Sequence, residues 1–243
     1  MEDLRKEALE ISQSSPLTSL FGTTRVDAEG KVIFRSPGGN LDGNGDEQAL
    51  RHTICRNQGP YRQTVIAGQF EPVRRHIAST YALEERHFMP IVAHSPFVPP
   101  ENEYIFALGF ARMMQGDIVS AAHILLPQLE NSLRYILKQV GTDPSMIQSD
   151  LIQEDRSISA LLSDHRDLLG KLLSVPVVDE IDLLFHDRAG PALRHEMAHG
   201  KLTTSHCFSH DTKYACWFIY RMTCMRLFEY WKDHIAPAID KEI

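Results

Sequence analysis

Residues 118–137 carry the pattern that most constrains the fold, because apolar side chains recur every three or four positions over roughly five helical turns. These apolar positions are Ile118, Ala121, Ala122, Leu125, Leu126, Leu129, Leu133, Ile136 and Leu137. Such spacing places them on one face of an α-helix. Asp117 is a suitable N-cap, Gly141 a suitable stop, and Pro127 predicts a kink. The segment therefore predicts a long helix with one face buried in a helical core.

Further helices are predicted on both sides of this segment. They cover residues 101–115, 157–173, 176–185 and a last long stretch from Asp211 to near Pro237. Amphipathic helices joined by loops of ordinary length pack against one another in antiparallel order. The predicted fold class is therefore all-α, with an antiparallel bundle of four to five helices in a domain that covers residues 85–243.

The first 84 residues are predicted to form an N-terminal segment of mixed structure. In order, it contains a short helix (2–13), a small β-hairpin (23–26 with 31–34), a glycine-rich loop (36–46) and two helices (47–57 and 61–82). The second of these two helices is predicted to bend at Pro72. Prolines within residues 88–100 predict an extended boundary between this segment and the helical domain.

Composition and charge narrow the possible functions. Hydrophobic residues make up 43% of the chain and charged residues 23%, which is typical of a globular protein. A net charge of −7 argues against a broad nucleic-acid surface, so any RNA contact must be local and no DNA binding is expected. No apolar run approaches the roughly 20 residues that span a bilayer, and no signal peptide is recognisable. We therefore expect a cytoplasmic protein without membrane contact.

Two smaller sets of residues have alternative interpretations. Arg74, Arg75 and His76 form a basic cluster, which predicts a solvated helix face or, alternatively, a contact with a partner or an RNA backbone. The four cysteines contain no C-x-x-C pair, which favours buried free thiols over a metal site or a disulfide framework.

The stretch from Gly190 to Gly200 allows two different chemistries. His195-Glu196-Met197-Ala198-His199 matches H-E-x-x-H, in which two histidines on one helix face hold zinc and the glutamate activates water. Alternatively, Arg194 and His199 act without metal, since a guanidinium binds phosphate and an imidazole transfers protons near neutral pH. A third interpretation is a solvated C-terminal turn whose basic side chains complement the helix dipole.

Local sequence weakens the zinc interpretation. Gly200 predicts that the helix ends at His199, whereas a metalloprotease helix should continue past its second histidine. Leu202 and Ser205 stand where the longer metalloprotease motif needs glycine and a third histidine. The sequence therefore favours the metal-free pair, for which no metal or other cofactor is expected.

The combination of an Arg194-x-x-x-x-His199-Gly200 motif, a final long helix and an all-helical bundle resembles the HEPN superfamily (higher eukaryotes and prokaryotes nucleotide-binding). Together with Ser95–Pro99 and residues 116–134, the motif also resembles a narrower family of unknown function whose signature is R-N-x-x-x-H-G. His195 stands where that signature has asparagine. The resemblance covers roughly residues 85–235.

The resemblance implies a metal-independent endoribonuclease that acts as a homodimer, with two motifs meeting across a helical interface. His199 would move protons at the ribose 2′-hydroxyl or the leaving 5′-oxygen, and Arg194 would stabilise the charged phosphate. Possible accessory residues are His195, Glu130 and Arg134, although Glu130 and Arg134 also have the spacing of a helix-stabilising ion pair. The resemblance equally allows a non-catalytic module that dimerises or binds RNA or nucleotides. A zinc-dependent hydrolase is the third alternative.

Overall fold

A computed structural model describes residues 2–14, 21–26, 30–36, 47–147 and 153–242, and the structure is mostly helical. The helices are α1 (Glu2–Ser14), α2 (Glu47–Val65), α3 (Glu71–Thr80), α4 (Met89–Val92), α5 (Glu103–Gln115), α6 (Ile118–Gln139), α7 (Ile158–Asp164), α8 (Arg166–Leu173), α9 (Val175–Ile181), α10 (Leu193–Ala198), α11 (Thr204–Cys207), α12 (His210–Met225) and α13 (Ala236–Asp240). Short π-helices cover Ile66–Phe70, Asp182–His186 and Trp231–Ile235, and a 3₁₀ turn covers Glu85–His87. The strands are β1 (Thr23–Val26), β2 (Val32–Ser36), β3 (Ser145–Ile147) and β4 (Gln153–Asp155).

The chain divides into two compact units. The first unit comprises Met1–Tyr61 and Asp167–His195, and the second comprises Arg62–Arg166 and Glu196–Ile243. The predicted division into residues 1–84 and 85–243 stays a prediction.

The first unit contains the predicted N-terminal helix and hairpin. Strands β1 and β2 pair antiparallel, as the sequence predicted, and the register places Arg25 opposite Phe34. A small core buries residues of α1 and α2 together with two residues from the second stretch of this unit: Ala8, Leu50, Ile54, Cys55, Leu183 and Ala189. The predicted loop at 36–46 lies outside the described residues except for Ser36, which is the last residue of β2.

The second unit is built around α6, whose apolar face is buried as its periodicity predicts. The buried residues include Leu125, Leu129 and Leu133, and α6 packs against α5 and α12. Asp117 caps α6 by accepting a hydrogen bond from the Ser120 backbone nitrogen at 3.1 Å. A Cβ atom at Gly109 of α5 would lie 2.5 Å from the Leu125 side chain, so the missing side chain allows close packing there.

Several proline and helix-boundary predictions were wrong. The predicted break between residues 57 and 61 is absent, because α2 continues through Pro60. Pro90 and Pro237 each lie in the first turn of a helix, where the missing backbone N–H leaves no hydrogen bond unmade. Pro72 also lies in a first turn, that of α3, and the predicted bend there stays a prediction. The predicted extended segment at 88–100 therefore contains α4, and the last long helix ends at Met225. The predicted helix 157–173 is interrupted at His165.

The hairpin of β3 and β4 was not predicted. All four cysteines are buried thiols outside any disulfide, as predicted, and burial raises the pKa of the Cys216 thiol to about 12. No described helix is long and apolar enough to cross a membrane.

A buried carboxylate joins three helices of the second unit. Glu71 of α3 is only 7% exposed, and its Oε2 lies 2.9 Å from Arg74 Nη2. Arg74 also donates from Nη1 to the Met114 carbonyl of α5 at 3.0 Å, while Lys213 Nζ of α12 lies 3.6 Å from Glu71 Oε1. Burial opposes ionisation of Glu71, but these cations outweigh it and hold its pKa below the usual value.

We expect Glu71→Gln to lower the free energy of unfolding at pH 7 by roughly 2–3 kcal/mol, because it removes charge-assisted hydrogen bonds. The pKa of the Glu71 carboxyl is lower in the folded state than its value near 4.5 in the unfolded state, so its ionised form stabilises the fold at pH values above about 4.5. This contribution is lost as the pH falls through the folded-state pKa. The difference from wild type should therefore shrink below about pH 4.5 in urea titrations. Glu229→Gln, at an exposed position, is the control. A pH-independent difference would contradict this account of Glu71.

Candidate functional site

The candidate motif lies on the short helix α10 and the turn that ends it. Arg194 and His195 belong to the first unit, and residues from Glu196 onward belong to the second. Glu196 is buried, Arg194 and His195 are half-buried, and His199 is exposed. His199 is therefore accessible to a ligand from solvent, whereas the Glu196 carboxyl is largely withdrawn.

The backbone fixes the position of His199. Gly200 has a φ of 66°, its N–H donates to the Met197 carbonyl at 3.0 Å, and the Lys201 N–H donates to the Glu196 carbonyl at 2.7 Å. This pair of bonds is a Schellman motif, in which glycine takes the left-handed conformation just after the helix. The predicted stop is confirmed, and His199 is the C-cap residue that follows the last helical residue.

The two histidines of the H-E-x-x-H pattern are not both within the helix. His195 lies inside α10, but His199 lies in the turn that follows Ala198. Across the described ranges, no group of three or more His, Cys, Asp or Glu side chains is placed to hold a metal ion.

In the first unit, a charged cluster stabilises the turn before α10. Arg51 of α2 binds Asp182 through Nη2 at 2.7 Å, and its Nε bonds to Asp187. Asp187 Oδ1 also accepts a hydrogen bond from the Ala189 backbone nitrogen at 2.8 Å. Both carboxylates are largely withdrawn from water, so removing their Arg51 partner would leave buried charge unpaired, which is costly. These bonds hold in place the backbone turn that leads through Pro191 into α10.

A histidine in this cluster was missed by the sequence analysis. His186 Nδ1 lies 3.0 Å from Asp182 Oδ1, and the His186 side chain is 41% exposed. Both residues lie in the π-helix Asp182–His186, a type of segment that is common near functional sites. Their i,i+4 spacing was the available signal in the sequence. The link from Asp182 to Arg51 had no signal there, because it joins distant parts of the chain.

Glu130 and Arg134 are brought together, as their spacing predicts. Arg134 Nη2 bonds to Glu130 Oε1 and also donates to the Arg156 carbonyl at 2.9 Å. Arg156 in turn donates from Nε to the Ser145 carbonyl at 3.0 Å. These contacts attach the β3–β4 hairpin to α6, which gives both side chains a structural role.

The motif can supply two complementary groups. The His199 imidazole can accept or donate a proton, and the Arg194 guanidinium provides several N–H donors in a plane that suits a phosphate.

Comparison of the chain with protein-family models, curated proteins and solved structures gave no match.

We expect Gly190→Ala to destabilise the first unit by roughly 1–3 kcal/mol, because the added Cβ would lie 2.3 Å from the Leu183 carbonyl oxygen. This carbonyl oxygen belongs to the backbone, which cannot move aside as a flexible side chain can. The matched control is Gly59→Ala in α2, where nothing lies within 4 Å of the added Cβ and the substitution should be neutral or stabilising. Equal thermal unfolding midpoints for the two variants would contradict the assigned close approach.

Arg134→Gln should loosen the β3–β4 hairpin, because it removes the hydrogen bonds to the Arg156 carbonyl. Hydrogen exchange of the backbone amides in residues 145–147 and 153–155 should become faster, while exchange in α12 stays unchanged. Arg112→Gln is the control, since the Arg112 guanidinium donates to Gln115 of the same helix. Unchanged exchange in the hairpin would rule out the structural role.

Proposed function

We propose that this chain is a HEPN-like, metal-independent endoribonuclease that uses Arg194 and His199. The observation that supports this best is the C-cap of α10. A Schellman motif holds His199 in a defined and exposed position, five residues after a half-buried arginine. A backbone held in place and an accessible imidazole suit proton transfer to a bound substrate.

The proposed reaction is an internal transesterification of RNA. The ribose 2′-oxygen loses its proton to an imidazole and attacks the adjacent phosphorus, and the bond to the 5′-oxygen breaks. The leaving oxygen takes a proton, which gives a 2′,3′-cyclic phosphate and a 5′-hydroxyl. Arg194 stabilises the charge that develops on the phosphoryl oxygens. Neither step needs a metal ion.

Proton transfer also gives a reason for the proposed homodimer. The reaction needs one group that accepts a proton and another that donates one, whereas each motif supplies a single exposed histidine, His199, beside the half-buried His195. Two copies of the chain would bring a second His199 to the site. We further propose that α5, α6 and α12 belong to an antiparallel bundle of four to five helices that carries this interface, and that the enzyme acts on RNA in the cytoplasm.

The direct test is incubation of purified full-length protein with a mixed single-stranded and structured RNA pool in excess EDTA. We expect cleavage by wild type and a loss of about 100-fold or more in rate for His199→Ala and Arg194→Ala, since each removes a group that acts only in the transition state. His123→Ala and Arg86→Ala, at exposed positions, are the matched controls and should cleave as wild type does.

Three outcomes would contradict the proposal. Cleavage that EDTA abolishes and zinc restores would favour the H-E-x-x-H hydrolase. A folded wild-type dimer that binds RNA without cleaving it would favour a binding module. Cleavage that survives both motif substitutions would place the active site elsewhere or indicate a contaminating nuclease.

A further inference from the structure

In the second unit, three cations surround a single buried carboxylate. Glu71 has Arg74 Nη2 at 2.9 Å, Arg75 Nε at 3.4 Å and Lys213 Nζ at 3.6 Å. In residues 62–147 and 153–242, no other carboxylate lies within ion-pair distance of Arg75 or Lys213. Neighbouring Asp211 pairs with Arg62 at 3.2 Å. The cluster therefore has two more positive charges than negative ones.

The three cations differ in their accessibility. The Arg74 side chain is 12% exposed and is held by the Met114 carbonyl, so its role is structural. Arg75 is 75% exposed, and Lys213 is 18% exposed. The excess positive charge is therefore available to an anionic ligand through Arg75 and, in part, through Lys213.

An exposed aromatic ring lies beside Lys213. Phe208 is 47% exposed, and Lys213 Nζ lies 5.9 Å from its ring centroid. Phe208 lies in the turn between two helices. Its N–H donates to the Thr204 carbonyl of α11 at 3.2 Å, and α12 begins at His210. An exposed ring beside a cation offers a flat apolar face on which a nucleic-acid base can stack.

We propose that Arg75, Lys213 and Phe208 form a binding surface for single-stranded RNA, with phosphates on the two cations and a base stacked on the ring. Cations beside an exposed aromatic side chain are the usual elements of single-strand recognition. An acidic protein segment would use the cations but gain little from the ring. The choice of RNA rests on the ribonuclease function proposed above, for which this surface would hold substrate away from the reacting phosphate.

The test measures fluorescence anisotropy of a labelled single-stranded RNA of about twelve nucleotides with full-length His199→Ala protein, which prevents cleavage. Adding Arg75→Gln and Lys213→Gln should weaken binding and reduce the slope of log K against log salt by about 1.4, since each phosphate contact contributes roughly 0.7. Phe208→Ala should weaken binding by about 5-fold or more. Lys138→Gln and Tyr104→Ala, exposed in α6 and α5, are the matched controls.

Binding by the substituted proteins equal to that of their parent, with unchanged thermal unfolding, would overturn this surface. The proposal would also be overturned if the protein bound a poly-glutamate peptide more tightly than RNA and Phe208→Ala left that peptide affinity unchanged. Such a result would indicate an acidic protein partner. Wild-type cleavage is scored separately. If wild type cleaves RNA but the variants bind it unchanged, only the proposed binding surface is rejected. If the variants weaken binding but wild type does not cleave RNA, only the proposed nuclease function is rejected.

Discussion

Close packing of α6 against α5 and α12 is the interaction on which the second unit depends. Leu125, Leu129 and Leu133 are fully buried, and Gly109 lets the backbone of α5 approach Leu125. Truncating one such leucine to alanine typically costs about 2–5 kcal/mol, which is a large part of the stability of an ordinary domain. Because this apolar contact is made along most of α6, polar groups can be buried at the ends of the neighbouring helices without loss of the fold.

In both units, buried charges form ion pairs that join segments distant in sequence. In the first unit, Arg51 links α2 to Asp182 and Asp187. In the second unit, Arg62 is 1% exposed and pairs with Asp211, while Glu71 holds α3 beside α12 through Lys213. Ion pairs of this kind contribute less to net stability than apolar packing does, since desolvation opposes them. Their main effect is to fix which surfaces meet, because an alternative packing would leave a charge buried alone.

Local sequence rules predicted the features that depend on local physics. The spacing of apolar residues predicted α6, Asp117 was identified as its cap, and Gly200 was identified as the stop that follows His199. Proline was the main source of error, since the same residue disrupts a helix interior but is suited to a first turn, as Pro90 and Pro237 show. The links from Asp182 to Arg51 and from Glu71 to Lys213 could not be predicted, because they join separate helices. Only the local pairs, such as Asp182 with His186, had a signal in their i,i+4 spacing. For the candidate site, the sequence predicted the exposed turn but not the charged network before it.

The central claim is that a fixed, exposed His199 acts with Arg194 to cleave RNA by attack of its own 2′-hydroxyl. The chemistry of the product ends tests this claim most directly, because a metal-activated water and an internal ribose oxygen leave different termini. Mass spectrometry of oligonucleotide products formed in EDTA should show a 2′,3′-cyclic phosphate on one fragment and a 5′-hydroxyl on the other. A 5′-phosphate paired with a 3′-hydroxyl would contradict the account.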